Sequence, residues 1–232
     1  MLDYGSGNVR SAVRALQRLG ADVKLSADPS AAIEADGLVV PGVGAFAACM
    51  AGLRDVQAPR ILTERLEAGR PVLGICVGMQ VLYSAGLEHG IQTPGLGLLA
   101  GKVEPLHAPV IPHMGWNTVR PPADSTLFAG LDDSTRFYFV HSYAVHPQHP
   151  PDPQQPPDPP DPPDPQRPLD PQQPPDPQRP QRPGGGPAVT LAEHGELFVA
   201  AVEADLLSAT QFHPEKSGNA GAQLLRNWLE SL

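Results

Sequence analysis

Cysteine is scarce in this chain of 232 residues: there are two, Cys49 and Cys76, and neither belongs to a C-x-x-C pair. That argues against a disulfide framework and a structural zinc site, and it fits a reducing compartment. No metal and no cofactor are expected. Basic charge is also short, with 16 Lys and Arg against 25 Asp and Glu, a net charge of −9. Nucleic-acid binding, which needs a basic face, is therefore not expected. The start, Met1-Leu2-Asp3-Tyr4-Gly5, has neither a basic region nor an apolar core, so it does not read as a signal peptide. Long hydrophobic runs are missing as well. The longest apolar stretch, Leu38 to Leu53, is broken by Pro41, Gly42, Gly44 and Gly52 and is too short to span a bilayer. Together these absences lead to the expectation of one soluble, cytoplasmic domain with no membrane and no nucleic-acid partner. Its 41% of hydrophobic residues would supply the core.

Proline, by contrast, is concentrated. From Pro147 to Pro187 there are 41 residues, 19 of them proline, with Asp, Gln and Arg making up most of the rest. Proline donates no backbone hydrogen bond, and the segment has little to bury. It reads as a low-complexity, polyproline-II-like disordered loop that interrupts a single domain spanning residues 1–232. A groove-binding ligand role through P-x-x-P spacings is a looser reading, because such spacings arise in any proline-rich run.

The remainder alternates between strand and helix patterns. Ser11 to Gly20 carries Val13, Leu16 and Leu19 at helical spacing, Ile61 to Ala68 reads as a second helix, and Ala220, Leu224, Leu225, Trp228 and Leu229 mark a third. Strands are expected at Ala21–Leu25, Gly37–Val40, Pro71–Ile75, Phe137–Val140 and Leu197–Val202. The alternation predicts an α/β fold with a mixed, mostly parallel central sheet flanked by helices. Ligand sites in such sheets lie at the carboxyl ends of strands, where Pro41-Gly42-Val43-Gly44 and Cys76 fall. Met1-Leu2-Asp3 alone precede the turn Tyr4-Gly5-Ser6-Gly7, a stunted first strand that raises the expectation of a truncated or misassigned start.

Gly74-Ile75-Cys76-Val77-Gly78 has the form of a G-x-nucleophile-x-G elbow with cysteine as nucleophile. Glycines on both sides let a strand turn sharply into a helix, expected over Met79–Tyr83, and leave the thiol at the helix N-terminus, where amide dipoles favour a thiolate. An apolar strand ending in cysteine is ordinarily just core. What changes the reading is His213-Pro214-Glu215, a base and a carboxylate far along the chain, the layout of a thiol nucleophile with its partners. His213 and Glu215, two apart on extended chain, project to the same side, so Glu215 can hold the imidazole in one tautomer. Backbone N–H groups of Val77 and Val43 are the candidate oxyanion donors.

Six segments carry a resemblance: Asp3-Tyr4-Gly5-Ser6-Gly7-Asn8, Pro41-Gly42-Val43-Gly44-Ala45-Phe46, Gly74-Ile75-Cys76-Val77-Gly78-Met79-Gln80, Pro112-His113-Met114-Gly115-Trp116-Asn117, Tyr138-Phe139-Val140-His141-Ser142-Tyr143 and Gln211-Phe212-His213-Pro214-Glu215-Lys216-Ser217. In this order they resemble the glutaminase subunits of imidazole glycerol phosphate synthase, a branch of the class I (triad) glutamine amidotransferases. The resemblance covers the chain except Pro147–Pro187. It implies that Cys76, His213 and Glu215 hydrolyse L-glutamine to glutamate and ammonia through a γ-glutamyl thioester. Gly42, Gln80, Ser142 and Tyr143 would then bind glutamine. Asn8, Tyr138 and Lys216 would lie towards a partner, a (β/α)₈ cyclase subunit that takes up the ammonia and makes imidazole glycerol phosphate and aminoimidazole carboxamide ribotide in histidine biosynthesis. Val77 departs mildly from the pattern, where leucine is more usual, but keeps the amide.

Three other readings stand beside this one. Another amidotransferase subunit, such as that of anthranilate synthase, would share the elbow and the His-Pro-Glu triplet, but the segments 112–117 and 138–143 tell against it. A stand-alone thiol γ-glutamyl hydrolase would work without a partner. A catalytically idle partner protein would not need Cys76, His213 and Glu215 intact.

Overall fold

The fold is built around β2 (Val72–Cys76), five residues that are all buried. It lies between β1 (Leu38–Gly42) and β11 (Leu207–Thr210), parallel to both. A strand covered on both faces needs a continuous apolar run, which is what Val72-Leu73-Gly74-Ile75 supplies. β11 then pairs antiparallel with β10 (Glu196–Ala204), and β10 with β9 (Ala188–His194), giving the order β1-β2-β11-β10-β9. The central sheet is thus mixed, with its parallel half carrying the cysteine. A second sheet runs β4-β3-β5-β8, from Ile91–Pro94, Tyr83–Glu88, Leu99–Pro105 and Tyr143–Val145. β6 (His113–Thr118) and β7 (Arg136–His141) form an antiparallel pair.

This computed structural model describes residues 1–5, 9–147 and 186–232. Asn8 and nearly all of the proline-rich segment expected at Pro147–Pro187 lie outside the described residues. Met1–Pro147 and Pro187–Leu232 make up one compact unit. Its helices are α1 (Val9–Arg18), α2 (Pro29–Glu34), α3 (Phe46–Asp55), α4 (Ala58–Glu67), a one-turn α5 (Val77–Gln80) and α6 (Gly218–Leu229). α3 buries Phe46, Met50 and Leu53, α4 buries Ile61 and Leu62, and α6 buries Leu224, Leu225 and Trp228. Together with Ala58 and Arg65 on α4 and Gly221 on α6, these buried positions return every three or four residues along each helix, the spacing that puts one face on the core. Among the described residues no helix is long and apolar enough to cross a membrane.

Two local expectations are corrected. Ala21–Leu25 is not a strand; a single bridge joins Leu2 to Ser26. Leu2 nevertheless takes a place beside β1, donating to the Val39 carbonyl at 3.0 Å, while Asp3 donates to that of Ser26 at 2.9 Å. The segment 21–25 finds too few partners for a ladder, and Leu25 stays 43% exposed. The helix expected over Met79–Tyr83 ends at Gln80, because Val81 and Leu82 give their carbonyls to Leu96 and Leu98 and the chain enters β3 at Tyr83.

Arg65 pins the frame that holds β1 and β2. Fully buried, it donates to the carbonyls of Ala32, Ile33 and Ala35 at the end of α2, of Asp36, and of Pro71 just before β2, at 2.7 to 3.1 Å. It satisfies carbonyls that a helix C-terminus leaves without partners. Burial lowers its pKa to about 10, so it stays charged at neutral pH.

Candidate active site

Backbone meets backbone at the elbow. A Cβ on Gly78 would collide with the Val40 carbonyl oxygen, and one on Gly42 with the Gly78 amide nitrogen. A Cβ on Gly74 would sit 2.7 Å from the Gly78 carbonyl oxygen. These glycines let the turn after β2 press onto β1. Cys76 pays in conformation, at φ 57° and ψ −116°, a strained region for a residue with a side chain. Such a geometry persists because the packing around it leaves no alternative. A helix of one turn adds little macrodipole, so it offers the thiol little of the dipole stabilisation expected from the sequence.

His213 follows β11 in extended conformation, and the 3₁₀ turn Pro214–Lys216 comes after it. Its Nδ1–H donates to Glu215 Oε1 at 2.8 Å, with both side chains almost fully buried. Two bonds tie this turn to β7 and a third closes the turn on itself. The His213 amide donates to the Tyr138 carbonyl at 2.9 Å, the Tyr138 amide to Ser217 Oγ at 2.9 Å, and Ser217 Oγ to the His213 carbonyl at 2.7 Å. Burial pulls the imidazole pKa down, but hydrogen bonding and charge from Cys76 and Glu215 overcome it and raise it to about 9. Nε2 is buried and makes no well-aligned hydrogen bond, a geometry that thiol sites tighten when substrate arrives.

A cavity of about 430 Å³ opens over these groups. The structure brings Cys76, His213, Val43, Val77, Gln80, Ser142, Tyr143 and Lys216 together in its walls. Glu215 stands behind His213. Gly42 is buried against Gly78 and does not line the cavity. Val43 is 41% exposed, and its carbonyl accepts from the Cys49 thiol at 3.4 Å. Gln80 is buried, its amide donating to the Tyr143 carbonyl and to Gln211 Oε1, both at 2.9 Å.

Sequence reasoning missed three wall residues. Glu88, at the end of β3, accepts from the Phe46 amide at 2.9 Å and so ties the cavity to the start of α3. His89 follows it, and His141 lines the cavity as well. His141 could have been found in the segment 138–143, whereas Glu88 and His89 sit in no motif.

Tyr138 and Lys216 also come together: the Lys216 Nζ lies 5.9 Å from the Tyr138 ring centroid. Trp116 packs edge-on against the same ring at 5.9 Å and is 53% exposed, and Met114, two residues before it on β6, is 62% exposed. An apolar cluster of this kind beside a cavity is a surface fit for a partner. As for metals, His107, His146 and Glu196 are the grouping among the described residues whose ligand atoms lie within 4.8 Å of one another. They fit an ion poorly. A metal on His146 Nδ1 would leave the proton on Nε2, which is buried without an acceptor.

The family model for glutamine amidotransferase class-I matches residues 1–155. The imidazole glycerol phosphate synthase subunit HisH of Nocardia farcinica is 57% identical over 100% of this chain and 97% of its own length. The protein of the same name from Streptomyces coelicolor is 54% identical over 100% of this chain and 92% of its own. Among solved structures, a glutamine amidotransferase superposes with a TM-score of 0.65 at 21% identity, covering 99% of this chain and 96% of that one. PurLQS from Thermotoga maritima gives 0.56 at 16% identity, covering 99% and 96%. At such identities the likeness is one of fold. The chain belongs to the class I glutamine amidotransferases, in the family of the imidazole glycerol phosphate synthase subunits HisH.

Proposed function

We propose that this chain is the glutamine-hydrolysing subunit of an imidazole glycerol phosphate synthase, serving histidine biosynthesis, with Cys76, His213 and Glu215 as its catalytic triad. The observation that carries the reading is the buried His213–Glu215 pair, 2.8 Å apart, behind a cysteine held at positive φ. With a pKa near 9, His213 is protonated at neutral pH. It is then an acid ready for the leaving group rather than a base waiting for a thiol.

The Cys76 sulfur attacks the carboxamide carbon of glutamine, and the carbonyl oxygen takes the negative charge. In this reading the backbone amides of Val43 and Val77, both on the cavity wall, donate to it. As the tetrahedral adduct collapses, the C–N bond breaks and nitrogen takes the proton from His213, leaving as ammonia. A γ-glutamyl thioester remains on Cys76. His213, now neutral, takes a proton from water; the resulting hydroxide attacks the thioester, the C–S bond breaks, and glutamate departs. Glu215 keeps Nδ1 protonated throughout, so that Nε2 does the exchange. Gln80, Ser142 and Tyr143 from the cavity wall hold the substrate, and the Glu88 carboxylate suits its α-ammonium group.

Membership of a synthase implies a cyclase partner. Tyr138 and Lys216, with Met114 and Trp116, form the side towards that (β/α)₈ subunit, through which ammonia passes in a cytoplasmic heterodimer; the family resemblance alone assigns Asn8 to the same interface. The test is co-purification with a candidate cyclase and measurement of glutamate release with and without the cyclase's nucleotide ligand. The reading expects release that depends on the partner. Full activity of the isolated chain would indicate a stand-alone γ-glutamyl hydrolase instead.

A further inference from the structure

We propose that Gln211 is a positioning residue for the Cys76 nucleophile, its side-chain N–H held towards the sulfur by Gln80, whose amide is oriented by the Tyr143 carbonyl on which a second hydrogen-bond chain, beginning at Asn117, also ends. This inference rests on the glutaminase reading for its effect on turnover, but not for its geometry.

The direction of each bond is fixed by groups that can only accept or only donate. His141 Nδ1 lies 3.0 Å from the Tyr143 carbonyl, so Nδ1 carries the proton. His141 Nε2 is then an acceptor, and it lies 3.0 Å from His113 Nδ1, which must donate. His113 Nε2 in turn accepts from Asn117 Nδ2 at 3.3 Å. The Asn117 amide cannot be reversed, because Nδ2 also donates to the Glu193 carbonyl at 2.9 Å and Oδ1 accepts from the Thr118 amide at 2.9 Å. Both imidazoles are therefore neutral, and both are buried. A proton added to either would place two donors face to face.

From the other side, Gln80 Nε2 donates to the same Tyr143 carbonyl, which fixes the orientation of the Gln80 amide. Its second hydrogen goes to Gln211 Oε1 at 2.9 Å. Reversing Gln211 would set two amide nitrogens against each other, so its Nε2 faces Cys76 Sγ, 3.9 Å away. Gln211 is fully buried, and its backbone amide donates to the Ala200 carbonyl at 2.8 Å. A buried amide beside a sulfur, with its orientation set from two residues away, is a donor aimed at developing negative charge. It favours the thiolate over the thiol and restrains the sulfur at the cavity floor. The imidazoles of segments 112–117 and 138–143 acquire a role in the same chain, holding the Tyr143 carbonyl that pins Gln80.

The test uses Gln211→Met, which keeps shape and removes the donor, and Gln80→Met, which leaves Gln211 in place but unpinned. The readouts are the rate of Cys76 alkylation by iodoacetamide at pH 7, followed by peptide mass spectrometry, and kcat and KM for glutamine in the complex with its cyclase. Gln211→Met is expected to slow alkylation and kcat by about tenfold, the effect of one hydrogen bond to a charged group, with KM within about twofold. Gln80→Met is expected to slow alkylation by a smaller factor. A packing role alone would change stability and leave the alkylation rate of folded protein as it was. Wild-type alkylation in folded Gln211→Met overturns the proposal. Should that variant not fold, wild-type alkylation in Gln80→Met overturns it equally. Slowed alkylation supports it even where the wild-type complex hydrolyses no glutamine, the result that would sink the glutaminase reading instead.

Discussion

His213 donates its Nδ1–H to Glu215 across a turn of two residues, at 2.8 Å and with both side chains almost fully buried. Pro214 between them rules out continuation as a central strand and turns the chain so that Glu215 comes back to the ring. The pair is the part of the site with the clearest chemical signature, and it yields the first prediction. Glu215→Gln removes a charge that raises the imidazole pKa and replaces an acceptor-only carboxylate with an amide whose N–H can also face Nδ1, so the tautomer is no longer fixed. Glutaminase kcat is expected to fall by at least about a hundredfold. In wild type the rate should decline as pH rises through about 9, where His213 loses the proton that ammonia needs. In Glu215→Gln that decline should begin at lower pH. A pH–rate profile of both complexes checks this.

Stability should respond to pH in two opposite ways. The His213 pKa is raised in the folded state to about 9, so its contribution is full below about 6.5 and is lost as pH climbs towards 9. Burial first, and then the neighbouring His194, lower the His113 pKa to about 4; burial chiefly lowers that of His141 to about 3. Their contribution is full above about 6.5 and is lost as pH falls towards 4 and 3. Thermal unfolding followed across pH 4 to 9.5 should therefore give a melting temperature that is highest near neutrality and falls on both sides. A melting temperature that rises steadily to pH 9.5 would contradict the His213 assignment.

Glycines at the elbow should differ sharply in tolerance. Gly78→Ala forces a methyl group onto the Val40 carbonyl and is expected to cost on the order of 4 kcal/mol. Gly44→Ala meets open space and suffers only from its φ of +90°, a cost of about 1 kcal/mol. Denaturant unfolding of the two variants measures the difference. Equal losses would mean that the contact between β1 and the elbow is not what demands Gly78.

Much of this was legible in the sequence, and for definite reasons. Val72-Leu73-Gly74-Ile75 reads as a buried strand because burial on both faces needs an unbroken apolar run, and the structure places β2 there. Cys76 and His213 could be paired because nucleophilic chemistry limits which residues are useful beside a thiol. Glu88 could not be found, since its position beside α3 depends on a contact with Phe46, 42 residues away in sequence. The hydrogen-bond route through Gln80 and Gln211 spans 131 residues of separation and was equally hidden. Ala21–Leu25 was misread because its residue types suit a strand while the fold offers Ser26 just one bridge.

The proline-rich segment should be dispensable for chemistry. The residues proposed for the triad and the oxyanion hole, and the cavity walls among the described residues, lie outside residues 148–185. Replacing that stretch with a short Gly-Ser linker is expected to leave glutaminase turnover in the complex within about threefold, comparable with the tolerance of surface loops to changes in length. A collapse of turnover in a folded complex would show that the segment takes part in the site.

The most direct measurement is made on the Cys76→Ala complex with its cyclase, supplied in turn with glutamine and with ammonium salt. If Cys76 releases ammonia for use by a partner, synthesis from glutamine is abolished and synthesis from ammonia persists at the wild-type rate. Retained synthesis from glutamine, or equal loss with both nitrogen sources, would contradict the account.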